Sequence, residues 1–82
     1  MLEELRANEK VIGVKQSRRA VRDGLVRAVF LACDADPAVT EPLAQQCAEQ
    51  NISVYDRFTM REIGQAAGIQ VGAAVAALLK KD

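Results

Sequence analysis

The stretch LVRAVFLAC, from Leu25 to Cys33, is followed directly by DADP at residues 34–37, and together they decide the fold class. The first part is a nearly continuous apolar run, which is typical of a strand covered on both faces. Asp36 before Pro37 combines a good N-cap with a proline at the first helical position, so a helical turn begins there. A buried strand that leads into a helix predicts an α/β fold with helices packed on a sheet.

The segment after DADP predicts a helix with an unusual start. Pro42 would break a helix interior, so we expect one turn over residues 37–39 and the main helix from Thr40 or Glu41. Asn51 can take the left-handed position at the end of this helix.

Three further elements are predicted on the carboxyl side. Residues 52–55 form a short strand candidate, and Thr59 with Glu62 fits a capping box that begins a helix over residues 60–67. Residues 71–79 are ambiguous, because the alanines favour a helix while a short apolar run between glycines favours a strand. We choose a strand, since it would fill the middle of the sheet.

On the amino-terminal side the same alternation continues. We expect a short helix over residues 2–8, a strand over residues 10–13 and a helix from about Lys15 to Asp23, with Gly24 in the left-handed position after it. Strands that alternate with helices predict a sheet between helical layers.

Composition excludes several function classes. The 82 residues predict one domain over residues 1–82, and half of them are apolar. Aromatic residues make up only 4% and histidine is absent, which argues against a base-stacking surface and against a usual zinc site. We expect Cys33 and Cys47 to be buried free thiols in a cytoplasmic protein, and we expect no cofactor.

The zero net charge hides a bipolar distribution. Between residues 15 and 27 there are five basic residues against one acid, whereas residues 33–56 hold five acids and no Lys or Arg. Four of the cations are spaced i, i+3, i+4 and i+7 and share one helical face, here called the basic face: Lys15, Arg18, Arg19 and Arg22. Another face is expected to pack on the sheet, and it holds Val14, Ser17, Val21 and Leu25.

On charge alone, a solvated surface and a phosphate-binding patch explain the basic face equally well. Position favours the second, because the helix begins directly after a strand and Gly13. Its free N–H groups and positive dipole end would then lie beside Lys15 and Gln16, which suits a phosphate or a guanine edge.

At these residues the chain resembles the kink-turn-binding ribosomal-protein family of the L-seven-Ae type, and within it the short bacterial paralogues. The resemblance covers nearly the whole chain and rests on four segments in order: GVKQSRR at 13–19, ACDADP at 32–37, ISV at 52–54 and IGQAAGIQVGAA at 63–74. It implies a three-layer α-β-α sandwich around a four-stranded mixed sheet. It also implies binding to the kink-turn, an RNA motif with tandem sheared G·A pairs beside a bulge.

The resemblance also implies where RNA is contacted. The family's Gly-x-Asn-Glu-x-x-Lys falls on Gly13, Lys15, Gln16 and Arg19, so its hydrogen-bonding residues are altered while their location is kept. A second contact is expected in the loop before the last helix. The candidate RNA-binding residues are Gly13, Lys15, Gln16, Arg18, Arg19, Arg22, Arg57, Phe58 and Thr59.

Some of these assignments have a structural alternative. Phe58 either contacts an unstacked base or packs as a staple on the next helix. We assign Asp34 and Asp36 mainly to turns and caps, because an acid facing phosphate is unfavourable. Gly64, Gly68 and Gly72 are explained by tight packing and a helix end.

The competing hypothesis is a protein–protein interaction or structural ribonucleoprotein subunit on the same fold. Catalysis is not expected, because no nucleophile–base pair accompanies the paired aspartates. We expect a monomer whose partner is a kink-turn in a ribosomal RNA or a riboswitch.

Overall fold

The computed structural model describes residues 2–81, which form four helices and four strands. In chain order the elements are α1 (Leu2–Ala7), β1 (Lys10–Ile12), α2 (Val14–Arg22), β2 (Val26–Leu31), α3 (Pro37–Glu49), β3 (Ser53–Tyr55), α4 (Met60–Ala67) and β4 (Val75–Leu79). The strand predicted at the carboxyl end is confirmed, although it begins only at Val75.

The sheet has the order β1-β4-β2-β3 and is mixed, as predicted. β2 and β3 run parallel, whereas β4 is antiparallel to both of its neighbours, β1 and β2. β4 therefore lies in the middle of the sheet. Because of this topology, the loop that precedes β4 lies at the same end of the sheet as the carboxyl ends of β1, β2 and β3.

The two faces of the sheet carry separate cores, which makes the fold a three-layer sandwich. One core packs α1 and α4, through Leu5 and Ile63, on the face that holds Phe30 and Leu78. The other packs α2 and α3 on the opposite face. Its members include Val21, Leu43, Cys47, Val29 and Val75.

A bulge in β2 decides which way its first residue points. Val26 pairs with Leu79, while Ala28 pairs with Leu78, so two steps on β2 match one step on β4. The extra residue, Arg27, breaks the alternation. Val26 therefore packs in the α2–α3 core although Ala28 packs in the other.

Aspartates cap two helices, as the sequence analysis assigned them. The Asp36 side chain accepts a hydrogen bond from the Ala38 N–H at 2.9 Å at the start of α3. Asp34 accepts one from the Met60 N–H at 2.8 Å and so holds the start of α4 against the β2–α3 loop. The predicted capping box between Thr59 and Glu62 is also present.

Two predictions about the β2–α3 region and α3 were wrong. α3 runs without interruption from Pro37, with Pro42 inside it. Pro42 lies on the exposed side of the helix, and so does Ala38, whose carbonyl oxygen loses its helical N–H partner and can turn to water instead. Cys33 is exposed rather than buried, because β2 ends before it; Cys47 is buried, and both thiols are free.

Candidate nucleic-acid interface

The amino-terminal end of α2 is open, and its position is set by the sheet. Gly13 adopts φ +99° and ψ 157°, a conformation that favours glycine. Its N–H donates to the Val75 carbonyl oxygen at 2.9 Å, which fixes the start of α2 beside the start of β4. No side chain within residues 2–81 caps α2, so the N–H groups of its first turn are free of side-chain acceptors from this part of the chain.

All four side chains of the basic face are exposed and lie together. They line one shallow depression, whose remaining side chain is Gln46 of α3. The side chains of Lys15, Arg18 and Arg19 form no hydrogen bond or ion pair with any residue in the described range 2–81. Their charge is therefore uncompensated by the fold.

Arg22 has one ion-pair partner, and that pair is weak. Its Nε lies 3.3 Å from Asp23 Oδ1, and the two side chains are 68% and 47% exposed. Exposed pairs between neighbours contribute little and are easily exchanged for another anion. Arg22 thus remains accessible to a ligand.

The opposite side of α2 is anchored in the core, although not by all the residues expected. Ser17, Ala20 and Val21 are buried, and the Ser17 hydroxyl has no hydrogen-bond partner among the described residues. Leu25 was expected on this face but is 52% exposed, because α2 has ended at Arg22 and the chain has turned before reaching it. Gln16 is exposed on the first turn and does not line the depression.

The β3–α4 loop follows the strand at the opposite edge of the sheet from β1, the strand that leads into α2. Strand order places β3 three positions from β1, or about 14 Å across the sheet. Phe58 is half-buried, and its ring centroid lies 6.1 Å from that of Phe30, a contact that supports the packing alternative. The Thr59 hydroxyl is engaged with Glu62, whereas Arg57 is exposed.

The α4–β4 loop, residues 68–74, leads into a strand nearer to α2 than β3 is, although none of its residues was among the predicted RNA contacts. Because β4 is the neighbour of β1, this loop ends beside the start of α2, where the Gly13 N–H donates to Val75, the first residue of β4. Val71 is 71% exposed, which is unusual for a large apolar side chain. In the sequence, the signal for this exposure is that a single valine stands between Gln70 and Gly72. The strand predicted over residues 71–79 assigned Val71 to the sheet instead.

Buried packing holds the α4–β4 loop in place. The Ala73 N–H donates to the Met60 carbonyl oxygen at 3.0 Å. Gly64 of α4 is buried, and a Cβ there would overlap the Val71 carbonyl oxygen. The tight-packing explanation of the glycines is therefore confirmed at Gly64.

Other kinds of site are not indicated within residues 2–81. No three residues among the described Cys, Asp and Glu are grouped so that they could hold a metal ion. None of the described helices has the length and apolarity needed to cross a membrane.

The chain is similar in sequence to a known protein family and to RNA-binding proteins of bacteria. Residues 2–82 match the sequence model of the ribosomal protein L7Ae/L30e/S12e/Gadd45 family. An RNA-binding protein of Geobacillus sp. (strain WCH70) is 37% identical over 76 residues, and this covers 93% of each chain. The RNA-binding protein YbxF of Geobacillus stearothermophilus is 40% identical over 76 residues, again 93% of each.

Solved structures match the fold over nearly the whole chain. The Giardia lamblia 15.5kD RNA binding protein superposes with a TM-score of 0.92 over 99% of this chain and 72% of its own. Its sequence identity is 22%, so this likeness shows the fold alone.

Proposed function

Because this chain belongs to the ribosomal protein L7Ae/L30e/S12e/Gadd45 family, we propose that it is a non-catalytic RNA-binding protein that recognises kink-turns. Its relatives of similar length are named RNA-binding proteins. In this proposal it acts as a cytoplasmic monomer without a cofactor. Its target is a kink-turn in a ribosomal RNA or a riboswitch.

The observation that carries the proposal is the uncompensated charge of the basic face beside an open helix terminus. Lys15, Arg18 and Arg19 are exposed and unpaired within the described residues, so binding an anion breaks no internal contact. The N–H groups of the first turn and the helix dipole add a second attraction for negative groups. Phosphate and the acceptor-rich guanine edge both match this chemistry.

Lys15 and Arg19 are suited to guanine, because both donate to O6 and N7. Gln16, exposed on the same first turn, offers one acceptor oxygen and an NH₂ group with two donor hydrogens. Regular A-form RNA hides its base edges in a deep and narrow groove. A kinked RNA exposes them, so the protein selects the bent state by binding it more tightly than the extended one.

Two loops extend the interface. Val71 is exposed on the α4–β4 loop, which leads into β4 beside the start of α2, and in this proposal it packs on a base exposed by the bulge. Arg57 reaches the backbone from the β3–α4 loop, where Phe58 and Thr59 have mainly structural contacts and define the edge of the interface.

Arg19→Ala tests the proposal in a titration with three RNAs of equal length: a kink-turn, the same RNA with its G·A pairs disrupted, and a straight duplex. Loss of a guanine contact weakens kink-turn binding by ~1–3 kcal/mol and weakens the other two less. Arg6→Ala is the matched control, since Arg6 is exposed on α1 in the opposite helical layer.

An equal loss on all three RNAs would mean that Arg19 contacts only phosphate. Wild-type protein that does not distinguish the kink-turn from the duplex would refute kink-turn recognition. The protein–protein alternative would then be supported if Lys15→Glu with Arg19→Glu left partner binding intact.

A further inference from the structure

A second concave surface lies at the end of the sheet opposite the proposed RNA interface. There β2 and β3 begin and β4 ends, because β3 runs parallel to β2 while β4 runs antiparallel to it. The turns at this end surround a cavity of about 200 Å³, here called the end cavity. Its lining residues include Val26, Arg27, Gln50, Asn51, Ile52 and Lys80.

We propose that the end cavity docks a partner protein through an acidic side chain that stands beside an apolar one. The acidic group binds Arg27 and Lys80, while the apolar group packs on Leu25 beside the cavity. This surface is separate from the basic face, so the inference does not rest on kink-turn recognition.

The two charged residues that line the end cavity are both positive. Arg27 is held in place, because its Nε donates to the Leu79 carbonyl oxygen and its Nη1 to Glu4 Oε2, both at 3.3 Å. A guanidinium has five N–H donors, so three remain for a ligand. The Lys80 side chain is exposed and has no ion pair within residues 2–81. A carboxylate would therefore meet a pre-positioned guanidinium and an unpaired ammonium.

Acids near the end cavity do not cancel this charge. Glu4, the partner of Arg27, is 48% exposed and does not line the cavity. Asp23 and Glu49 are exposed at the ends of α2 and α3 and do not line it either. The local surface therefore attracts an acidic group, and its polar lining residues Gln50 and Asn51 can donate amide hydrogens to it.

Leu25 supplies the apolar part of the surface. It is 52% exposed, which is unusual for a large apolar side chain, and it stands between Gly24 and Val26, which both line the cavity. Its carbonyl oxygen accepts a hydrogen bond from the Lys80 N–H at 2.8 Å, which fixes the leucine beside the cation. An acidic side chain next to an apolar one matches both neighbours at once.

Other occupants match the end cavity less well. Sites for small molecules are usually about 300–1,000 Å³, so a cavity of about 200 Å³ is better filled by a side chain. An RNA backbone offers nothing apolar to cover Leu25, and two cations supply few of the phosphate contacts on which RNA affinity depends. Because the six residues of β2 span about 20 Å, a protein partner can dock here while RNA occupies the other end.

Capped hexapeptides of alternating glutamate and leucine stand in for the partner in an NMR titration of the full chain. The expected result is a saturable shift of the backbone amides of Leu25, Arg27, Asn51 and Ile52. A peptide with lysine in place of glutamate, and one with serine in place of leucine, should each bind at least about threefold more weakly. A single-stranded RNA of six uridines should leave these four amides unchanged.

Two variants with matched controls locate the binding. Lys80→Glu weakens binding of the glutamate–leucine peptide at least about threefold relative to Lys81→Glu, because Lys81 does not line the end cavity. Leu25→Ser weakens it at least about threefold relative to Val71→Ser, which changes an exposed valine at the other end of the sheet. All four positions are exposed, and urea unfolding checks that each variant keeps its stability.

Each outcome decides the proposal. Saturable shifts at the end cavity, with larger losses in Lys80→Glu and Leu25→Ser than in their controls, support it. No shift with the glutamate–leucine peptide, equal losses in the two lysine variants, or binding of the RNA in place of the peptide overturns it. If the chain binds the peptide but does not distinguish a kink-turn, only the proposed function fails; the reverse result removes the end cavity alone.

Discussion

Gly64→Ala is expected to weaken RNA binding by displacing the α4–β4 loop, although Gly64 itself lies in α4. Gly64 is buried in α4, and an added Cβ would overlap the Val71 carbonyl oxygen and approach the Gly72 backbone. Helix propensity alone would favour alanine by about 1 kcal/mol. Because the added methyl group would overlap backbone rather than a movable side chain, the overpacking cost lies at the upper end of its usual range, about 2–3 kcal/mol, which leaves a net destabilisation of about 1–2 kcal/mol.

Gly68→Ala is the matched control. Gly68 has φ +84° and ends α4 in the left-handed conformation, but a Cβ there would have no non-neighbouring atom of the described residues within 4 Å. Its cost is therefore backbone strain of about 1–2 kcal/mol without a clash. The two variants lose similar stability for different reasons, and although Gly68 is the first residue of the loop that carries Val71, only Gly64→Ala places an atom against the backbone of that loop.

Urea unfolding and RNA titration separate the two effects. Both variants should have a lower free energy of unfolding, with a Tm about 4–16 °C lower for a domain of this size. At a temperature where both are folded, Gly64→Ala binds the kink-turn RNA more weakly than Gly68→Ala does. Unchanged stability in Gly64→Ala would mean that the α4–β4 loop moves aside without cost. Equal RNA affinity of Gly64→Ala and Gly68→Ala would show that this loop does not belong to the interface.

Two further predictions concern the hydrogen bond from Met60 to Asp34 and the two cysteine thiols. Asp34→Ala removes the acceptor for the Met60 N–H and should lower the free energy of unfolding by about 1 kcal/mol, whereas Asp34→Asn keeps an acceptor oxygen and should lose less; equal losses would contradict the cap. Burial raises the pKa of the Cys47 thiol, so its proton stabilises the fold below the unfolded pKa of about 8.5, and this stabilisation is lost as the pH rises through the higher folded pKa. A thiol reagent should modify exposed Cys33 at once and Cys47 only on unfolding. The loss of stability at alkaline pH should persist in Cys33→Ser, because it comes from Cys47. Prompt modification of both thiols in the folded protein would show that Cys47 is accessible.

Local signals were sufficient where neighbours in the chain decide the structure. Asp36 before Pro37 predicted the start of α3, and Thr59 with Glu62 predicted the start of α4, because caps are made within one helical turn. The spacing of the basic face was likewise enough to place four cations together, since helical periodicity brings them to one side. Pro42 shows the limit, because its tolerance depends on which side of α3 faces water.

What lies beside the basic face was decided by the tertiary structure. Gln46 becomes its wall only because α3 packs against α2 on one face of the sheet. The α4–β4 loop, which carries Val71, leads into β4 next to β1 only because β4 is inserted between β1 and β2, and this insertion leaves β3 three positions from β1. Chain neighbours and helical spacing are short-range constraints that the order of residues carries by itself, whereas strand order depends on burying both faces of the sheet at once.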